Sequence, residues 1–315
     1  MMVKNNGLAD FRKKLAKGRE KKFSVDNETI NQKKRAFLRN ISLPNGKFMI
    51  LPIDQGLEHG PSDFLVNPDC GDPEYQLEIA VRAGYSAIAM QVGLARKYWQ
   101  KAKYKKNIPL ILKVNGKTRV PKETEEFSPL CAEVDDAVEL GAQAIGYTLF
   151  AGSGRQAEDI AQLRSVRRAA DKYSLPLIVW SYPRGSVVKG DGGKDGIAAV
   201  DYAVREAMEL GADVVKFNMP SFPKGGFAQD GVFTEYNILK DWKQKELLAK
   251  VINTAGELGT LLSGGDLVDD KTLLNNVKIA VECGIDGVIF GRNIWQRKMP
   301  EALKIASEIK NMLQS

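Results

Sequence analysis

The sequence predicts an α/β protein built as a closed (β/α)8 TIM barrel, and three observations lead there. From Lys47 onward, short apolar runs alternate with amphipathic stretches eight times, the pattern of a parallel sheet with helical crossovers, and eight such units match the barrel. Glycines follow helical stretches just before the next strand at Gly84, Gly141, Gly211, Gly259 and Gly284, as expected where a left-handed residue ends a helix. No Gly-x-Gly-x-x-Gly follows the first strand, which argues against an open dinucleotide-binding sheet. The 315 residues, 43% of them hydrophobic, suffice for one such domain.

In chain order, residues 1–44 read as a basic, partly helical N-terminal extension and 45–315 as the barrel. Residues 1–40 carry a net charge of +8 against +7 for the whole chain, so the barrel itself is close to neutral. Helical pieces are predicted over 8–16 and 31–38. A basic arm can bind nucleic acid or an acidic surface. This one lacks aromatic interleaving and any nucleic-acid motif, so it is read as a solvated extension that covers one end of the barrel or lies at a subunit contact. Strands are expected over 48–54, 87–92, 109–114, 144–150, 176–182, 213–218, 260–263 and 287–291. Helices are expected over 73–83, 94–105, 132–140, 157–172, 196–210, 242–257, 271–282 and 300–312. The loops 185–196 and 219–240 read as lids or as linkers.

No apolar run is long enough to span a bilayer, and the first residues lack the apolar core of a signal peptide. Cys70, Cys131 and Cys283 are widely separated and suggest neither a disulfide framework nor a zinc site. A cytoplasmic protein with no membrane and no nucleic-acid partner is the expectation. His59 is the sole histidine, so a multi-histidine metal centre is excluded.

Active sites of this fold lie at the C-terminal ends of the strands, and the chemically unusual residues cluster there. The run Ala212-Asp213-Val214-Val215-Lys216-Phe217-Asn218 drives one lysine into an apolar segment. Burial disfavours an ammonium, and a neutral amine is what a Schiff-base nucleophile needs. The alternative is a structural lysine whose head reaches a carboxylate at the strand end. Asp54, ending strand one, is placed to orient substrate hydroxyls or to pair with Lys216, and His59 to donate to a hydroxyl or phosphate; both could instead cap backbone atoms. Period-2 alternation sets Trp180, Tyr182 and Arg184 on one face of strand five. Tyr182 can move a proton and Arg184 can hold an anion, or the aromatic residues form a core layer. Ser263-Gly264-Gly265 and Gly291-Arg292-Asn293 fall after strands seven and eight, where barrels bind phosphate, with ordinary turns as the alternative.

With Pro52-Ile53-Asp54-Gln55-Gly56-Leu57-Glu58-His59-Gly60, Trp180-Ser181-Tyr182-Pro183-Arg184-Gly185, Val214-Val215-Lys216, Ser263-Gly264-Gly265 and Gly291-Arg292-Asn293-Ile294-Trp295-Gln296-Arg297, the chain resembles the archaeal-type (DhnA-like) class I fructose-bisphosphate aldolases. The resemblance implies a high-order homo-oligomer, a decamer, that reversibly cleaves fructose 1,6-bisphosphate to dihydroxyacetone phosphate and glyceraldehyde 3-phosphate in glycolysis or gluconeogenesis. It implies no metal and no cofactor. By position Lys216 resembles the Schiff-base lysine, Tyr182 the proton-transfer residue, Trp180 and Arg184 its neighbours, and Asp54 the strand-one aspartate. Ser263, Gly264, Gly265, Gly291 and Arg292 resemble the phosphate site. The basic extension and a longer loop after Lys216 depart from the short archaeal form, and Glu235 is the candidate for an assisting glutamate. Sibling activities on this scaffold are an amino-dideoxyheptulosonate synthase and an autoinducer-phosphate thiolase; a silent barrel with a nucleic-acid-binding arm is the reading from another class.

Overall fold

The computed structural model describes residues 5–16, 18, 23–28, 30–120 and 125–315. Strands β1 (Phe48–Pro52), β2 (Ala87–Gln91), β3 (Leu110–Lys113), β4 (Ala144–Leu149), β5 (Leu177–Ser181), β6 (Val214–Phe217), β7 (Gly259–Ser263) and β8 (Gly287–Ile289) pair in parallel in sequence order, and β8 closes on β1. All eight lie inside, or within one residue of, the predicted ranges. Every strand residue from β1 to β6 is buried, because the strands are covered by side chains inside the barrel and by helices outside it.

Two apolar layers result. Phe48, Ile50, Ala87, Ile111, Ile178, Val214, Leu261 and Ile289 fill the lower barrel. The outward strand residues, among them Met49, Leu51, Leu112, Val179 and Val215, pack against the helical ring. That ring comprises Pro73–Arg82, Val134–Leu140, Gln156–Tyr173, Ile197–Glu209, Gln244–Thr254, Asp270–Glu282 and Met299–Gln314.

The expected helix over 94–105 is instead three short pieces: Val92–Leu94, a wide turn Ala95–Trp99, and Ala102–Lys105. The wide turn delivers Trp99 into the core, where its indole N–H donates to the Ile108 carbonyl at 2.8 Å. Gly259 is also not a helix end. It opens β7 against Val214, 2.9 Å from where its Cβ would stand, while Gly256 (φ 58°) takes the left-handed position. The loops 185–196 and 219–240 contain a short helix, Ser186–Gly190, and a 3-10 turn, Thr234–Leu239.

The N-terminal arm closes the lower end of the barrel. Phe23 and Val25, with Leu38 and Ile41 from the helix Gln32–Asn40 and its C-cap, belong to the same buried cluster as the barrel interior, and the Phe23 and Phe48 ring centres lie 5.7 Å apart. Lys34 donates to Asp213 at 3.0 Å, at the entry to β6. The helix Asn5–Ala16 lies against Gln244–Thr254, where Arg12 donates to Glu246 at 2.7 Å. Part of the predicted basic arm, residues 1–4, 17, 19–22 and 29, lies outside the described residues.

Gly287 tests the closure between β8 and β1. A Cβ there would stand 2.8 Å from the Phe48 Cα and 2.6 Å from its Cβ and collide with its carbonyl, none of which is the far end of a flexible side chain. Gly287→Ala is expected to lower stability by about 1–3 kcal/mol, read as a fall in Tm, whereas Gly7→Ala, with open space around its Cβ, is expected to leave Tm unchanged or slightly raised.

Candidate active site

The inward register that carries Ile50, Ile111, Ile178, Val214, Leu261 and Ile289 in the lower barrel continues upward, two residues at a time, to Asp54, Lys113, Trp180 and Tyr182, Lys216, Ser263 and Gly291. Cross-strand register sets Trp180 beside Lys216, and Lys113 beside Gly146. Gly146 is small for a reason: its Cβ would stand 2.8 Å from the Trp180 ring and 3.3 Å from the Lys113 side chain. One cavity at the C-terminal mouth is lined by Asp54, His59, Trp180, Tyr182, Arg184, Lys216, Ser263, Gly264, Gly265, Gly291 and Arg292. The site residues anticipated from the sequence, Glu235 excepted, are therefore in one place.

Lys216 lines its base, and a second lysine, Lys113, is buried against the cavity residues Asp54 and Glu58. Lys113 is wholly buried, and its ammonium donates to Glu58 at 2.6 Å and Asp54 at 3.4 Å. Burial opposes that charge, but Glu58 and Asp54 overrule it and hold the Lys113 ammonium above the usual lysine range. Lys216 makes no ion pair with a carboxylate among the described residues; its Nζ lies 5.1 Å from the Trp180 ring centre and 5.4 Å from that of Tyr182. Burial pushes Lys216 down to about 8, with Asp54 pulling the other way and Lys113 adding repulsion. At pH 7 a group with a pKa of about 8 is roughly one-tenth neutral, against a few in ten thousand for an ordinary lysine. Burial would raise the Asp54 carboxyl, yet Lys113 and Lys216 together bring it below its ordinary value. The anticipated contact of Asp54 with Lys216 is thus replaced by a hydrogen bond to Lys113, and Asp54 acts on Lys216 through the field alone.

The wall formed by β5 is aromatic. The Tyr182 hydroxyl lies 3.3 Å from Ser263 Oγ, and burial pushes the phenol well above its usual range. The Trp180 indole N–H is buried without a partner among the described residues. Arg184 sits over the Tyr182 and Phe150 rings, at 5.4 and 5.6 Å, and donates to the Pro183 carbonyl; burial lowers its pKa. Opposite, Arg292 donates to the Gly265 carbonyl at 3.3 Å. The backbone N–H groups of Gly264, Gly265, Arg292 and Asn293 carry no backbone bond among the described residues, a donor set suited to an anion. Gly265 takes a left-handed φ of 60°. Gly291 is required by close approach, since its Cβ would stand 3.1 Å from the Pro52 carbonyl and 2.7 Å from Gln55. His59 Nδ1 lies 3.1 Å from Asp63.

Sequence reasoning missed Lys113, although the signal was present: Leu110-Ile111-Leu112-Lys113 is an apolar run ending in a lysine, just as β6 is. Glu58, Lys117, Lys194 and Asn218 also line the cavity. Glu235 does not; it is exposed on the turn Thr234–Leu239, so the assisting role expected of it has no support in the geometry. The carboxylates that reach the base of the cavity are Asp54 and Glu58.

A buried amine of lowered pKa, a phenol within reach of it and anion-binding donors across the cavity are equipped for carbonyl chemistry on a phosphorylated substrate. Comparison with known proteins points the same way. The class 1 fructose-bisphosphate aldolase of Thermoproteus tenax is 38% identical over 278 residues, covering 88% of this chain and 93% of that protein. The Halobacterium salinarum protein of the same name is 35% identical over 258 residues, covering 82% and 88%. A solved archaeal fructose-1,6-bisphosphate aldolase, with its catalytic lysine covalently bound to the carbinolamine intermediate of the substrate, superimposes with a TM-score of 0.75 at 36% identity, covering 90% of this chain and 100% of that one. Residues 48–297 match the DeoC/LacD family aldolase domain, and the chain belongs to that family.

Proposed function

We propose that this protein is a class I fructose-bisphosphate aldolase, a carbon–carbon lyase that cleaves fructose 1,6-bisphosphate reversibly through a Schiff base on Lys216. The observation that carries this reading is the depressed pKa of Lys216, buried without a carboxylate partner beside Tyr182 and opposite the donors of Gly264, Gly265 and Arg292.

In this reading the neutral Lys216 amine attacks the C2 carbonyl, and loss of water gives an iminium that accepts the electron pair when the C3–C4 bond breaks. Tyr182 starts as a protonated phenol, because burial holds its pKa high. It gives that proton to the hydroxyl that leaves the carbinolamine as water, and the iminium charge, formed where Lys216 stood and 5.4 Å from the phenol ring, favours the resulting phenolate, which then takes the C4 hydroxyl proton. The same residue then returns a proton at the enamine stage. One phosphate sits on the donors between β7 and β8; Lys117, Arg184 and Lys194 line the cavity as cations for the other. The free Trp180 N–H is a donor for a substrate hydroxyl.

The proposal includes a cytoplasmic setting, supported by the free thiols of Cys70, Cys131 and Cys283. Among the described residues no helix is long and apolar enough to cross a membrane. It also includes a homo-oligomer, supported by the apolar groove around Val187, Tyr202 and Val232, which are all more than half exposed.

Activity on a panel of phosphorylated sugars, with triose phosphate release as the readout, is the direct test. Cleavage of fructose 1,6-bisphosphate that falls by about 10²–10⁴ in kcat in Tyr182→Phe is the expected result; turnover only with a heptulosonate precursor or a phosphorylated autoinducer would assign a sibling activity instead. The lysine pair makes a second prediction. Activity should rise with pH through about 8 as Lys216 loses its proton. In Lys113→Met the repulsion is gone and Asp54 and Glu58 are left facing Lys216, so the rising limb should move to higher pH by about a unit or more, measured as kcat/KM against pH.

A further inference from the structure

The loop after β1 contains a contact that the chemistry above does not use. Asp63 Oδ2 stands 3.1 Å from His59 Nδ1 and 3.9 Å from Arg292 Nε. His59 and Arg292 line the cavity, and Asp63 sits behind both. Its turn, Pro61–Phe64, is held firmly: Phe64 packs on Trp295 with ring centres 5.6 Å apart, and the Gln296 side-chain amide donates to the Asp63 carbonyl at 2.6 Å. Trp295 and Gln296 end the short helix that Arg292 begins, so Asp63 ties the loop after β1 to the loop after β8.

We propose that Asp63 is a positioning residue that fixes the ring and the proton of His59, so that the nitrogen offered to substrate is Nε2, and keeps Arg292 in the same frame. A carboxylate only accepts, so the hydrogen in the 3.1 Å contact belongs to Nδ1. In the neutral ring Nε2 then carries the lone pair and accepts from a substrate hydroxyl beside the phosphate that Arg292 holds. A carboxylate behind a working imidazole selects one tautomer and one ring orientation, as it does in hydrolase triads and metal sites. Sequence spacing alone hides this, since His59 and Asp63 lie four residues apart in a loop that is not a continuous helix. The kinetic consequence rests on the aldolase reading; the tautomer does not.

His59 is the only histidine, so 15N-histidine labelling of the whole protein reports one ring without assignment. Spectra of the intact protein are recorded at a pH where the ring is neutral. The wild type is expected to show a protonated Nδ1 and an unprotonated Nε2. Asp63→Asn offers an amide N–H to Nδ1 and should move the proton to Nε2, with kcat/KM for fructose 1,6-bisphosphate falling about 10–100-fold at an unchanged Tm. An Nε2–H tautomer in the wild type overturns the proposal, and that spectrum decides even where the variant does not fold. An Asp63→Asn protein that keeps the wild-type tautomer, or that changes tautomer with kcat/KM unaltered, overturns it equally. A wild type with the expected tautomer but no aldolase activity would contradict the functional reading and leave the positioning of His59 standing.

Discussion

Two lysines and two carboxylates share the largely buried upper end of a closed barrel, and the rest of the site follows from how that charge is divided. Lys113 donates hydrogen bonds to both Glu58 and Asp54 and keeps its proton. Lys216, left without a partner among the described residues, cannot hold its own proton as firmly. The cluster is then short of one positive charge whenever Lys216 is neutral. An iminium formed on Lys216 supplies that charge until the C3–C4 electron pair reaches it, and Asp54 and Glu58, which favour a cation at this position against the burial that opposes it, help to hold it. A single buried lysine among aromatic rings would give the low pKa without this compensation.

That division depends on burial of the lysine layer. Below it, the aliphatic side chains of the barrel interior and the arm residues Phe23, Val25, Leu38 and Ile41 form a continuous apolar floor. Above it, Trp180 and Tyr182 cover Lys216, and Gly146 makes room for the indole. The basic arm, whose charge first suggests an anionic partner, does structural work in its described portion: its apolar residues close the barrel, and its charges pair with Asp213, Asp171 and Glu246.

The architecture was legible because its signals are local. Alternating apolar runs gave all eight strands, and period 2 placed Trp180, Tyr182 and Arg184 on one cavity wall. Lys216 was legible for the same reason. Its partner relations were not, because Lys113 meets Glu58 across 55 residues of sequence and no local pattern reports that pairing. Gly259 misled because a glycine before a strand has two causes, a left-handed helix end or close packing, and only the neighbour Val214 distinguishes them. Glu235 misled because a loop of variable length carries no register.

The central claim is that the reactive amine is Lys216 and not its buried neighbour. Borohydride reduction of the protein with dihydroxyacetone phosphate, followed by peptide mass mapping, separates them. The account predicts a single reduced adduct on Lys216, lost in Lys216→Ala. An adduct on Lys113, or none on either lysine in a folded protein, would contradict it.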